Sequence, residues 1–163
     1  MESSKQGVYG APLARAESKF MIKSYWLMKS EPDVYGWDDL VAEGEGTWDG
    51  VRNHTAKQHL QAMNKGDEAF FYHSNIGLEI VGIMKISVPG LTDPKDPTGK
   101  WAAVKVKPVR KLKRGVTLKE IKATPELAAM EMLRQSRLSV APVRPEEWER
   151  LIAMSRTKAP GTS

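Results

Sequence analysis

The chain of 163 residues contains no cysteine. That absence removes zinc ribbons, iron–sulfur sites, thiol nucleophiles and disulfide frameworks together, and it agrees with a reducing, cytoplasmic setting. No window approaches the ~20 consecutive apolar residues of a membrane helix. Residues 1–20 hold no apolar stretch of the kind a secretory signal needs, which argues against export. Phosphate cradles are missing too, since neither G-x-x-x-x-G-K-S/T nor G-x-G-x-x-G occurs. No G-x-S-x-G elbow surrounds any serine, so a serine hydrolase has no motif to stand on. His54 and His59 lie on one helix about 140° apart and do not present a single ion with two ligands. No metal, no cofactor and no catalytic residue is expected.

What is present describes one ordinary domain. A chain of this length buries roughly 68–70% of the surface its unfolded form exposes, enough for a core without staples. The net charge of +5 hints at a polyanionic partner. Its location weakens the hint. Residues 1–22 read as a flexible leader with Lys5, Arg15 and Lys19 against Glu2 and Glu17, and 155–163 as a flexible tail with Arg156 and Lys158. Three of the five excess charges thus fall outside the domain expected over 23–154.

Within that domain, Ser24–Lys29 reads as a strand closed by Glu31-Pro32, and Gly36–Ala42 as a short helix. Asn53 is a good cap for a helix over His54–Met63. The β-rich runs Glu68–His73 and Leu78–Ser87 face each other as a hairpin. Residues 88–100, dense in Pro, Gly and Asp, read as a loop before a strand over Trp101–Val109. There Ala102, Val104 and Val106 point inward, and Ala103, Lys105 and Lys107 outward. Helices are expected at Thr117–Lys122, at Pro125–Gln135 and from Pro145 onward, with a strand over Leu138–Val143. This irregular alternation predicts an α+β fold, a small curved sheet or partly closed barrel with short helices around it.

Three segments interleave aromatics with polar residues where strand gives way to loop: Trp26 to Pro32, Trp48 to Asn53, and Phe70 to Ser74. Taken singly, each has an ordinary reading, a core aromatic or a helix cap. Together they point to a pocket.

These residues carry a resemblance. W-L-M-K-S-E-P, W-D-G-V-R-N, K-G-D-x-x-F-F-Y-H-S and R-L-S-V-x-P-V-x-P-E-E-W stand in the order of the EVE domain family, and the chain resembles it from Tyr25 to about Met154. The resemblance implies a PUA-like pseudo-barrel of mixed strands and a non-enzymatic module related in architecture to the YTH and SRA readers. Such a module binds DNA or RNA and holds a modified base in an aromatic and polar slot. Carried over, it places Trp26, Lys29 and Ser30, then Trp48, Val51, Arg52 and Asn53, then Tyr72, His73 and Ser74, and finally Leu138 and Ser139 at the pocket. Trp26 or Trp48 would stack on the base, Asn53 and Ser30 would read its edge, and Arg52 or Lys29 would meet phosphate. His54 stands where the family often has Tyr, and Arg144 where a Ser or Thr cap is common.

Lys105, Lys107 and Lys111 belong to a run of six basic residues from Lys105 to Arg114, either a solvated face or a track for a phosphate backbone. Two other functions stay open. One is a hydrolase of modified nucleosides using Lys29, Tyr72 and His73 as acid–base groups. The other is an interaction module whose pocket takes a small ligand.

Overall fold

In a computed structural model, described over residues 23–158, six strands form a single mixed sheet. The strands are β1 (Tyr25–Ser30), β2 (Gly46–Trp48), β3 (Glu68–His73), β4 (Glu79–Thr92), β5 (Ala102–Thr117) and β6 (Val140–Val143). Their spatial order is β2-β5-β4-β3-β1-β6. The α+β class stands, but the sheet is open: its edges β2 and β6 do not pair, so the expected pseudo-barrel is not closed. Residues 1–22 and 159–163 lie outside the described residues, including the whole of the expected leader.

β1 lies inside the edge strand β6, parallel to β3 and antiparallel to β6. Because side chains alternate across a strand, Trp26 and Met28 enter one core cluster and Leu27 the other. The first cluster lies under α2 (Trp37–Glu43) and α3 (His54–Ala62) and gathers Leu40, Leu60 and Phe71. The second lies under α4 (Leu118–Lys122) and α6 (Pro145–Ser155), where Trp148 stacks on Tyr25 at 4.4 Å and on Phe70 at 3.9 Å between ring centroids. Both faces of the sheet are therefore buried, which explains why β1 and β3 read as near-continuous apolar runs. At Gly82 of β4 an added Cβ would lie 2.5 Å from the Trp37 ring, so only glycine lets α2 pack this closely.

Several boundaries differ from the sequence reading. Residues 88–92, assigned to a loop, continue β4, because the register with β5 slips between Val88 and Leu91 and leaves Pro89 and Gly90 outside the ladder. β5 likewise runs on to Thr117, and Ala103, expected on the wet face, is buried. The single helix expected over Pro125–Gln135 is a 3-10 turn at Pro125–Leu127 and a one-turn α5 at Glu131–Arg134. Met132 is buried yet stands about 140° from Leu127 on a regular helix, so a break at Met130 is what brings both into the core. Thr124 does not cap this segment, and its hydroxyl donates to the Glu120 carbonyl instead. At α6 the missing Ser or Thr cap is replaced by Glu147, which accepts from the Arg144 backbone N–H at 2.9 Å and from its guanidinium at 2.8 Å. The helix continues to Ser155, and Arg114 donates to the carbonyl of Thr157 beyond it.

Candidate functional site

The parallel strands β1 and β3 end side by side, and their outgoing chains separate, with the Ser74 N–H donating to the Ser30 carbonyl at 2.9 Å. Two clefts open around this point, and they share Lys29, Ser30, Val34 and Ser139 as a common wall.

One cleft, of about 580 Å³, collects Trp48, Val51, Arg52 and Asn53 with Ser30 and Ser139. Trp48 ends β2 with its indole edge-on to Phe71 and to Tyr35, so aromatic surface forms the inner wall. Tyr35 comes from α1 (Pro32–Tyr35), and its hydroxyl donates to Glu43 at 2.5 Å. That bond, together with burial, pushes the phenol pKa upward, burial being the larger cause. Gly46 makes room for this hydroxyl, since a Cβ there would collide with it. The Ser30 hydroxyl donates to the Tyr35 carbonyl at 2.6 Å, which leaves its lone pairs as the acceptor side. Asn53 caps α3 as expected: its Oδ1 accepts from the Ala56 N–H at 2.9 Å, so the unspent group is the amide NH2, a donor.

Arg52 is committed elsewhere than expected. Its Nη1 lies 2.8 Å from the buried carboxylate of Asp93, which also accepts from the N–H groups of Gly50 at 2.8 Å and Lys95 at 2.7 Å. Burial alone would raise the Asp93 pKa, but Arg52 and the two N–H donors outweigh it and hold the carboxyl below its usual range. The side of this guanidinium turned to Asp93 buttresses the Gly50–Asn53 turn. Nη1 also donates to the Val51 carbonyl at 3.0 Å, and the Arg52 side chain, 43% exposed, still lines the cleft.

The other cleft, of about 810 Å³, lies on the opposite side of the shared wall and contains Tyr72 and Ser74 with Leu118, Met132 and Leu133. The Lys29 ammonium sits 5.8 Å from the centre of the Tyr72 ring and donates to the Ser136 carbonyl at 2.9 Å. Burial lowers the Lys29 pKa and pushes the Tyr72 phenol up to about 12.

Three expected site residues are elsewhere. Trp26 lines neither cleft: its ring is buried in the first core cluster, and Nε1 donates to the buried Asp67 at 3.0 Å. Alternation along β3 sends His73 away from Tyr72, to accept from the Trp37 N–H at 3.2 Å beside Lys111 and Glu79. Leu138 is a core residue under α3, and it is the neighbouring Ser139 that reaches both clefts. The basic run is also divided. Lys105 and Lys107 alternate with the inward Val104 and Val106, whereas the slip between Ile83 and Met84 turns Lys111 to the side of Trp37 and His73. Tyr35, Lys122 and Arg137 line the clefts without having been singled out: Tyr35 and Lys122 stand outside the four motifs, and Arg137 opens the fourth, where only Leu138 and Ser139 were carried to the pocket. A Tyr four residues before an acidic helix turn carries no signal of its own.

The site thus defines a compact α+β domain with paired clefts at the ends of two parallel strands. A profile of the EVE domain family matches residues 24–154, and the chain belongs to that family. It is 37% identical to thymocyte nuclear protein 1 of Mus musculus, over 84% of this chain and 76% of the relative. Among solved structures, an NMR structure from Rhodopseudomonas palustris is 51% identical with a TM-score of 0.77, covering 81% of this chain and 92% of that one. The crystal structure of human THYN1 protein in complex with 5-methylcytosine-containing DNA is 34% identical with a TM-score of 0.77, covering 84% of this chain and 100% of that one. The mammalian relatives carry the name of nuclear proteins, which overturns the cytoplasmic assignment drawn from the lack of cysteine. No helix among the described residues is long and apolar enough to cross a membrane.

Proposed function

We propose that this domain is a reader of nucleic acid, and that a modified base extruded from its strand enters the Trp48 cleft. The make-up of that cleft carries the reading. An aromatic wall of Trp48 and Tyr35 stands opposite a donor, the Asn53 amide, and an acceptor, the Ser30 hydroxyl. Extrusion costs a few kcal/mol, which stacking at ~1–3 kcal/mol and a paired base edge offset. The human relative solved with 5-methylcytosine-containing DNA supports the same ligand class.

The domain acts without catalysis in this reading. The acid–base trio of the hydrolase alternative is dispersed, since His73 faces the other side of the sheet from Lys29 and Tyr72. A Tyr72 phenol with a pKa of about 12 supplies no base at neutral pH. The test is a binding screen of the whole chain against oligonucleotides that each carry one modified cytosine or adenine, beside the unmodified sequence. At least one modification should bind more tightly than its plain counterpart. Equal affinity across the panel contradicts the proposal, and release of a free base or nucleoside product favours the hydrolase.

A further inference from the structure

The two clefts share a wall but differ in charge. In the Trp48 cleft three cations, Lys29, Arg52 and Lys95, meet three carboxylates, Glu43, Glu45 and Asp49. Two of those cations are already paired, Arg52 with Asp93 at 2.8 Å and Lys95 with Asp49 at 3.5 Å. Such a balanced cavity offers a neutral guest more than it offers a phosphate. In the Tyr72 cleft, Lys29, Lys122 and Arg137 meet one carboxylate, Glu31, and among the described residues none of these cations forms an ion pair.

Lys29 is the telling residue. Its ammonium is half-buried, has one donor spent on the Ser136 carbonyl and keeps two more, and no anion answers its charge. A desolvated cation of this kind is costly until an anion arrives. The remaining lining of the Tyr72 cleft is mixed, with apolar Leu118, Met132 and Leu133 beside Tyr72 and the polar side chains of Asn75 and several serines among them. At about 810 Å³ the space falls within the ~300–1,000 Å³ typical of ligand sites.

We infer that the Tyr72 cleft is a second subsite, which takes the phosphodiester and sugar next to the base held in the Trp48 cleft. This rests on the reader function proposed above. The strand crosses the shared wall at Lys29 and Ser139, so the neutral cleft receives the neutral base and the cationic one its charged neighbour. Lys122 and Arg137 flank the phosphate from the rim, and Lys29 meets it from the wall.

The test uses the whole chain and an oligonucleotide carrying one 5-methylcytosine, titrated at several salt concentrations. Each phosphate neutralised contributes about 0.7–0.9 to the slope of log affinity against log salt, so replacing Lys122→Ser and Arg137→Ser together should flatten it by up to about that amount. Both residues are exposed, so the variant should keep its fold. The preference for the modified over the plain base should be unchanged, and so should affinity for free 5-methyl-2′-deoxycytidine, which has no phosphate. An unaltered slope overturns the inference while leaving the reader function intact. If the loss instead follows Lys105→Ser with Lys107→Ser, the backbone runs along β5 and the subsite assignment fails. A wild-type chain that shows no preference for any modified base overturns the reader function itself, and the subsite with it.

Discussion

At the scale of single residues, the clefts depend on side chains that hold structure with one atom and face a ligand with another. Asn53 caps α3 through Oδ1 and keeps its amide NH2 for the cleft. Serine preserves the cap, because Asn and Ser rank alike at this position, but it has no amide. Asn53→Ser should therefore melt within a few degrees of the wild type while losing most of its preference for the modified base. A preference that survives the substitution removes Asn53 from the reading edge. Asp93 has the complementary role. Its carboxylate gathers Gly50, Arg52 and Lys95 behind the Trp48 cleft. Asp93→Asn removes the charge opposite Arg52, and a cost of about 1–3 kcal/mol is expected in urea denaturation, at the low end because the Arg52 side chain is 43% exposed. Stability equal to the wild type would show that the turn holds its shape without this cluster.

At the scale of elements, α1 and α2 form the outer wall of the Trp48 cleft, and His73 ties their junction to β3 by accepting from the Trp37 N–H. That bond requires a neutral imidazole. Burial lowers the His73 pKa, with Lys111 adding to the effect and Glu79 and Asp38 opposing it. Because the folded value lies below the unfolded ~6.5, the contribution is complete above that pH and is lost as pH falls through the folded pKa. The unfolding free energy should thus decline on acidification below about pH 6.5, and His73→Gln, which keeps an acceptor without titrating, should flatten the decline. An identical pH profile in the variant contradicts this account. The elements themselves were largely legible in the sequence. Continuous apolar runs mark β1 and β3, period-two alternation marks β5, and Asn53 and Pro145 mark helix starts. What escaped were places where tertiary packing overrides local signals. Pro89 and Gly90 read as a loop because nothing local reveals the register slip that leaves them outside the ladder. Pro125–Gln135 reads as one helix because nothing local shows Met132 being drawn into the core.

At the scale of the whole molecule, the site was visible as a set of motifs but not as two clefts. The motifs carry Lys29, Ser30, Trp48, Asn53 and Tyr72 to one end of β1 and β3. Which cleft each one faces depends on alternation in paired strands. Adjacent Tyr72 and His73 part for that reason, whereas Trp26 and Trp48 share one core cluster and part because Trp48 ends its strand and Trp26 stands near the start of its own. Global basicity was a weak guide, because three of the five excess charges fall outside the domain. The charge that matters is local, a surplus at Lys29, Lys122 and Arg137 beside a balanced neighbour.

The central claim is that the Trp48 cleft receives the base, and the five tryptophans report on it directly. Their indole N–H signals can be followed by NMR as an oligonucleotide with one modified base is added, each assigned by a Trp→Phe variant. The signal of Trp48 should move, while those of Trp26, held by Asp67, and Trp148, stacked between Tyr25 and Phe70, should stay in place. A Trp48 signal that is unmoved when the oligonucleotide is bound would contradict the account.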